Sequence, residues 1–290
     1  MAIQELDSYI KKELDDRARK LEEHFEGDVV YYTGTLSELL IEGFREYLEA
    51  VKAHNNKHER LVFFLRTDGG SAETVEKLVE IMRFHYQEVF FVVPERAMSA
   101  GTIFCMSGDK IYMDYSSSLG PIDPQVFNGT QWVPALGYLD QVERLIQKAA
   151  DKSLTDAEML ILQNQDLAML SRYEQAKNLT ITLLKQWLVE YKFKDWTTHK
   201  TSPEKKGLPV KMEEKQARAE EIANLLSNNK LWHSHGRMIS LATIQRVLKL
   251  RVEDYSKDAI LRPMIRSYND FFMDYVNKNG FPSYIHCRHA

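Results

Sequence analysis

Residues Arg96 to Thr102 read RAMSAGT, a single serine cradled by small residues. A strand-like run, VFFVVP, precedes it and an apolar, helix-compatible run, TIFCM, follows, so Ser99 falls at a strand-to-helix turn. A helix start there presents unpaired backbone N–H groups and a partial positive charge beside the hydroxyl, the setting an acyl-transfer nucleophile needs. Ala100 and Gly101 let a substrate backbone come close. A second glycine-rich turn, RTDGGSAE from Arg66 to Glu73, follows another strand-like run, LVFFL. Two strand-turn-helix units thus aim their turns at one sheet edge, where together they offer a nucleophile and backbone donors for an oxyanion.

The elements that must position those turns alternate along the chain. DVVYYTG reads as a first strand, LSELLIEGFREYLEAVKAH as a helix, LVFFLRT as a second strand, and SAETVEKLVEIMRFH as a helix capped by Ser71. VFFVVPE, the helix opened by TIFCMSG and the short strand KIYMDY continue the pattern, which predicts a mostly parallel sheet with helices packed on it. SSSLGPIDPQVFNGTQWVP breaks the periodicity with three Pro and two Gly, and its apolar residues argue for an ordered, functional loop. Leu139 to about Tyr191 is helical in pattern. The expected organisation is an amphipathic helix at 1–25, with Ile3, Leu6, Ile10, Leu14 and Leu21 on one face, a domain at 26–196, a Lys-rich polar loop at 197–217, and a helical region at 218–290. In the last of these, Tyr268, Phe271, Phe272 and Tyr275 lie at helical spacing and read as core or subunit interface.

Composition narrows the function classes. At 290 residues the chain can bury a core without disulfides or metals, and a net charge of −4 with no dominant basic tract gives no nucleic-acid surface. No apolar run approaches the roughly 20 residues of a spanning helix, and the charged N-terminal stretch is unlike a signal peptide, so a cytoplasmic location and no membrane span are expected. Cys105 and Cys287 fit a reducing compartment and form no metal-type spacing, with Cys105 read as core. The HCRH ending is the weak metal-tail motif of the chain, and no metal or cofactor is expected.

TDGGSAE, AMSAGT, GDKIYMDYSSSLGPIDPQ and HSHGRMI occur here in an order that resembles the serine peptidases of the Clp/crotonase fold. These include signal peptide peptidase A, the caseinolytic protease subunit and, most closely, the serine dehydrogenase proteinase family. The similarity concentrates between about Asp28 and Gln125. It implies an α/β, Clp/crotonase-like fold, Ser99 as nucleophile, and the N–H groups of Gly70 and Ala100 as the oxyanion hole. It also implies a peptide or protein substrate and a homo-oligomer.

A serine hydroxyl needs a group to take its proton. Where the caseinolytic subunit carries its His, this chain reads PIDPQ, and Asp123 there suits an orienting role better than that of a base. Lys152, in AADKSLTDAE, falls in the region where signal peptide peptidases carry a catalytic Lys, and it would need burial or a neighbouring cation to act, while the same stretch also reads as an exposed helix start. His235, in LWHSHGRMI, sits at a turn from which it can reach Ser99, with Asp123 as orienter. The HxH spacing also suits zinc, without an evident third ligand. The expected activity is a cytoplasmic serine endopeptidase working through an acyl-enzyme on Ser99. Two rivals stand beside it: an inactive scaffold on the same fold, indifferent to Ser99→Ala, and a thioester-acting crotonase-like enzyme, whose turnover would survive that change.

Overall fold

The computed structural model describes residues 2–54, 58–127, 132–200 and 202–288, without the side chains of 2–5, 126–127, 132–134 and 136. Helix α1 (Ala2–Phe25) leads into β1 (Asp28–Thr33), and α2 (Leu39–His54), β2 (Arg60–Arg66), α3 (Ala72–His85) and β3 (Glu88–Val93) follow. Runs such as RLVFFLR show no polar alternation because parallel strands covered on both faces bury successive side chains. Ser71 caps α3, its Oγ accepting from the Thr74 N–H at 3.0 Å. The two-residue β4 (Arg96–Ala97) turns through Ser99 into α4 (Ala100–Met106), a helix buried on every side, and β5 (Lys110–Met113) comes next.

The proline-rich stretch is ordered where it is described. It holds β6 (Ser118–Leu119) and an antiparallel pair, β7 (Gln125–Phe127) and β8 (Trp132–Pro134), while 128–131 lie outside the described residues. Helices α5 (Ala135–Ala150), α6 (Asp156–Gln163) and α7 (Leu167–Trp187) follow, the last running on as a π-helical turn at Leu188–Lys192. Within the polar segment, Thr198 bridges Pro209 before α8 (Met212–Leu226) begins. The chain ends with α9 (Asn229–Trp232), β9 (Ile239–Ser240), α10 (Leu241–Thr243), β10 (Glu253–Asp254), α11 (Leu261–Asn279) and β11 (Tyr284–Cys287).

Six strands form the central sheet in the order β10-β5-β3-β2-β1-β11, parallel except for β11 against β1. Successive residues of a strand point to opposite faces, so β2 divides between two cores. Phe63 and Leu65 pack with α2, α3, α4, α7 and α8, and Val62 and Phe64 pack with α1 and α11. Helix α1 lies against α11 and buries Leu14 and Leu21 there, while Leu6 is exposed. Tyr268 and Phe272 are buried in the same core, where Phe272 stacks on Tyr31 at 3.9 Å. The sheet's two outermost strands, β10 and β11, come from the segment read as a helical region, so one sheet joins 26–196 with 218–290. Edges of two and four residues lack the length to show strand periodicity.

A second, three-stranded sheet positions the loops of interest: β4 pairs in parallel with β6, and β6 pairs antiparallel with β9.

Candidate active site

Ser99 follows β4 immediately after Met98 and precedes α4, with φ 52° and ψ −119°. A non-glycine residue at positive φ is uncommon and costs on the order of 1–3 kcal/mol, which the surrounding packing must offset. The conformation carries Ser99 out of the strand and leaves it half-buried, with its side chain making no capping bond to α4. Glycines crowd the residue on two sides. A Cβ on Gly69 would stand 2.9 Å from the Ser99 Cβ, and one on Gly120 would stand 3.1 Å from the Ser99 nitrogen. Gly70 is equally constrained by the 34–37 loop, since a Cβ there would come within 2.0 Å of the Leu36 oxygen.

Two strand exits thus meet at Ser99. Leu36 donates its N–H to the Gly69 oxygen and accepts from the Ser71 N–H, both at 2.9 Å, which pins the glycine turn on one side. The N–H of Gly70 and that of Ala100, in the first turn of α4, have no acceptor among the described residues. Both are among the predicted site residues. Beside them, Arg96 holds Asp68 through two bonds, 2.5 and 3.1 Å, and this pairing keeps the Asp68 carboxyl below the usual carboxylate range.

Asp123 and His235 come together. His235 Nδ1 lies 2.9 Å from Asp123 Oδ1 across 112 residues of sequence, with Asp123 buried and His235 partly exposed. The small sheet explains the meeting. Ala97 pairs with Leu119 and Leu119 with Ile239, which lays side by side the segments that lead, four residues on, to Asp123 and His235. The buried Thr102 hydroxyl accepts from the Gly120 N–H at 2.8 Å and donates to the Ala97 oxygen at 2.8 Å, tying α4 to the loop that carries Asp123.

Lys152 is not brought to this group by any contact. It is exposed on the turn after α5, at φ 54°, its N–H closing that turn on the Ala149 oxygen. Its neighbour Lys148 pairs with Glu158 at 2.6 Å. Among the described residues no three His, Cys, Asp or Glu side chains are arranged to hold a metal, and His289 of the HCRH ending lies outside them. Cys105 is fully buried, and burial raises its thiol pKa.

Sequence reasoning missed Gly69, Gly120 and the two buried threonines Thr67 and Thr102. The GG doublet announced a tight turn, yet nothing in its spacing says which glycine faces the serine. A three-layer α/β fold with a strained serine between two glycine-rich strand exits defines the class of ClpP-like serine peptidases. The chain matches the model of the ClpP-like SDH-type serine proteinases over residues 35–217 and belongs to that family.

Two curated relatives are proteins of Methanocaldococcus jannaschii described as uncharacterized. MJ0137 is 33% identical over 157 residues, covering 54% of this chain and 50% of that protein. MJ1495 is 28% identical over 116 residues, covering 40% and 38%. The chain thus spans half or less of the length of these relatives. Among solved structures, two mutant forms of the 1510-N membrane-bound stomatin-specific protease align at 13% and 14% identity, each with a TM-score of 0.46. Both alignments cover 81% of this chain, and 84% and 79% of those chains. The ClpP protease catalytic domain from Plasmodium falciparum aligns at 14% identity and a TM-score of 0.28, over 32% of this chain and 53% of that one.

Proposed function

We propose that the protein hydrolyses peptide bonds through an acyl-enzyme on Ser99, with His235 as general base and acid, Asp123 as its orienter, and the Gly70 and Ala100 N–H groups as the oxyanion hole. The observation that carries this reading is the Asp123–His235 contact of 2.9 Å at the end of the small sheet where Ser99 leaves β4. With its Nδ1–H donated to the buried carboxylate, the imidazole keeps Nε2 as an acceptor for the serine proton. The hydroxyl oxygen then attacks the scissile carbonyl, and the oxyanion forms beside two fixed N–H donors, each worth about 3 to 4 kcal/mol in such a transition state. His235 returns the proton to the leaving amine, and water repeats the sequence to release the acid.

Lys152 is the less supported base, because it stands exposed on the turn after α5, without the burial a lysine base needs. The reading extends to a cytoplasmic setting, supported by two buried cysteines outside any disulfide. No helix among the described residues is long and apolar enough to cross a membrane. It extends also to a homo-oligomer, supported by exposed Ile146, Leu160 and Ile161 on adjacent helices α5 and α6.

Labelling with a fluorophosphonate, followed by peptide mapping, tests the reading. A single adduct on Ser99 is expected, absent in Ser99→Ala. His235→Ala should lower kcat/KM for a peptide substrate by about 10² to 10⁴-fold and Lys152→Ala by less than about twofold. The opposite ranking of the two variants would transfer the base to Lys152, and thioester turnover surviving Ser99→Ala would replace the peptidase reading altogether.

A further inference from the structure

Thr67 is the last residue of the strand-like run before DGG, and only 3% of it is exposed. Its backbone joins β2 to the serine strand: the Thr67 N–H donates to the Arg96 oxygen, and the Thr67 oxygen accepts from the Met98 N–H, both at 3.0 Å. Its hydroxyl serves two other segments. Oγ1 donates to the Gly34 oxygen at 2.7 Å and accepts from the Gly69 N–H at 3.0 Å. Its methyl occupies the space beside Gly101, where a Cβ would stand only 2.4 Å from Cγ2. One buried side chain therefore touches the exit of β1, the glycine turn and the first turn of α4.

The hydroxyl decides which glycine can act. A backbone N–H has one hydrogen, and that of Gly69 is spent on Thr67, although Gly69 is the glycine whose Cα faces the Ser99 side chain. The Gly70 N–H is left without an acceptor among the described residues. From this geometry we infer that Thr67 is a positioning residue: its hydroxyl fixes the Gly69 peptide so that the Gly70 N–H, and not the Gly69 N–H, is presented to the oxyanion formed at Ser99. The inference rests on the peptidase reading. Its physical basis is that an oxyanion donor works only when held at its final position before charge develops, and a displacement near 1 Å costs on the order of 10²-fold in rate.

Replacing Thr67 by Val keeps the branched shape and the methyl against Gly101, and removes only the hydroxyl. Ser keeps the hydroxyl and removes the methyl. On a peptide substrate, Thr67→Val should lower kcat by about 10 to 100-fold with KM within about twofold, because the loss falls on the transition state and not on ground-state binding. Thr67→Ser should stay within about threefold of the parent protein in kcat, and both variants should melt as cooperatively as the parent. A structural role alone would give a kcat deficit that tracks the unfolded fraction, or one shared by the Ser variant, and either result overturns the inference. If Thr67→Val does not fold, Thr67→Ala carries the same comparison, since it removes the hydroxyl without risk of overpacking. A parent protein that takes up no fluorophosphonate and turns over no peptide overturns the peptidase reading and this inference with it. A fully active Thr67→Val variant of a labelled parent overturns the inference alone.

Discussion

The backbone strain at Ser99 is localised, and the residues that enforce it are small by necessity. At φ 117° and with its Cα against the serine, Gly69 cannot accept a methyl without moving the nucleophile. Gly69→Ala is therefore expected to abolish fluorophosphonate uptake while the protein remains folded by circular dichroism, because the clash falls on one turn at the serine and leaves both cores intact. Asp123 supports a different prediction. Asp123→Asn preserves shape but offers an amide to His235 Nδ1, which favours the tautomer with its proton on Nε2, the wrong nitrogen for a base. A fall in kcat on the order of 10³ to 10⁴-fold is expected, with KM little changed, and an active Asn variant would remove Asp123 from the mechanism. At this scale much was legible in sequence. SAGT between a strand and a helix placed the serine at a turn, and the GG doublet announced a second tight turn beside it. The pairing of Asp123 with His235 was one expectation among several, because 112 residues separate them and only the folded chain brings them together.

Among the elements, α4 and α6 show how differently two short helices are stabilised. All seven residues of α4 are buried, so packing and the hydroxyl of Thr102 hold it. Helix α6 buries none of its residues and depends on its own end: Thr155 and Glu158 form a reciprocal capping box, and Lys148 reaches Glu158 from α5. The hydrogen bond from Lys148 and those at the cap hold the Glu158 carboxyl down to about 2. Thr155→Ala should cost α6 about 1 kcal/mol of local stability, read as roughly fivefold faster amide exchange across Asp156–Gln163 with little change elsewhere. Uniform protection in the variant would mean that α6 is held by packing with a partner. The long apolar strands and the capped helices could be read from composition and period. The small sheet could not, because two-residue strands such as β4 and β9 carry no periodic signal and are defined by their partners.

Across the whole molecule, two cores lie on opposite faces of the sheet and the site at its edge. Lys192 shows what a buried charge costs in such a fold. It ends the π-helical turn after α7, its Nζ donating to the Asp109 oxygen at 3.4 Å, and burial pushes its pKa down to about 8, with Glu253 opposing that shift. The unfolded chain holds this proton up to near the ordinary lysine value, so the folded state carries the cost of a buried charge below pH 8 and sheds it as pH rises toward 10.5. Lys192→Met should therefore stabilise the protein at pH 7, by on the order of 2 kcal/mol allowing for its partial exposure, and the advantage should shrink between pH 8 and 10.5. Denaturant midpoints of the parent and the variant across that range would show it. A constant difference would mean that Lys192 keeps its charge when folded.

The amino-acid sequence alone determined the strand-helix alternation, the mostly parallel sheet, the placement of Ser99 at a turn and the resemblance to ClpP-like peptidases. These properties are local: they follow from period, capping residues and small-residue turns within about twenty positions. Tertiary structure decided which distant residues come together: Asp123 meets His235, Gly69 rather than Gly70 abuts Ser99, and Lys152 stays in solvent. It also decided that β10 and β11, from the far end of the chain, complete the sheet begun by β1. Such contacts arise from register between strands and from burial against elements far away in sequence. No local pattern encodes either, because both depend on which surfaces the folded chain excludes from water.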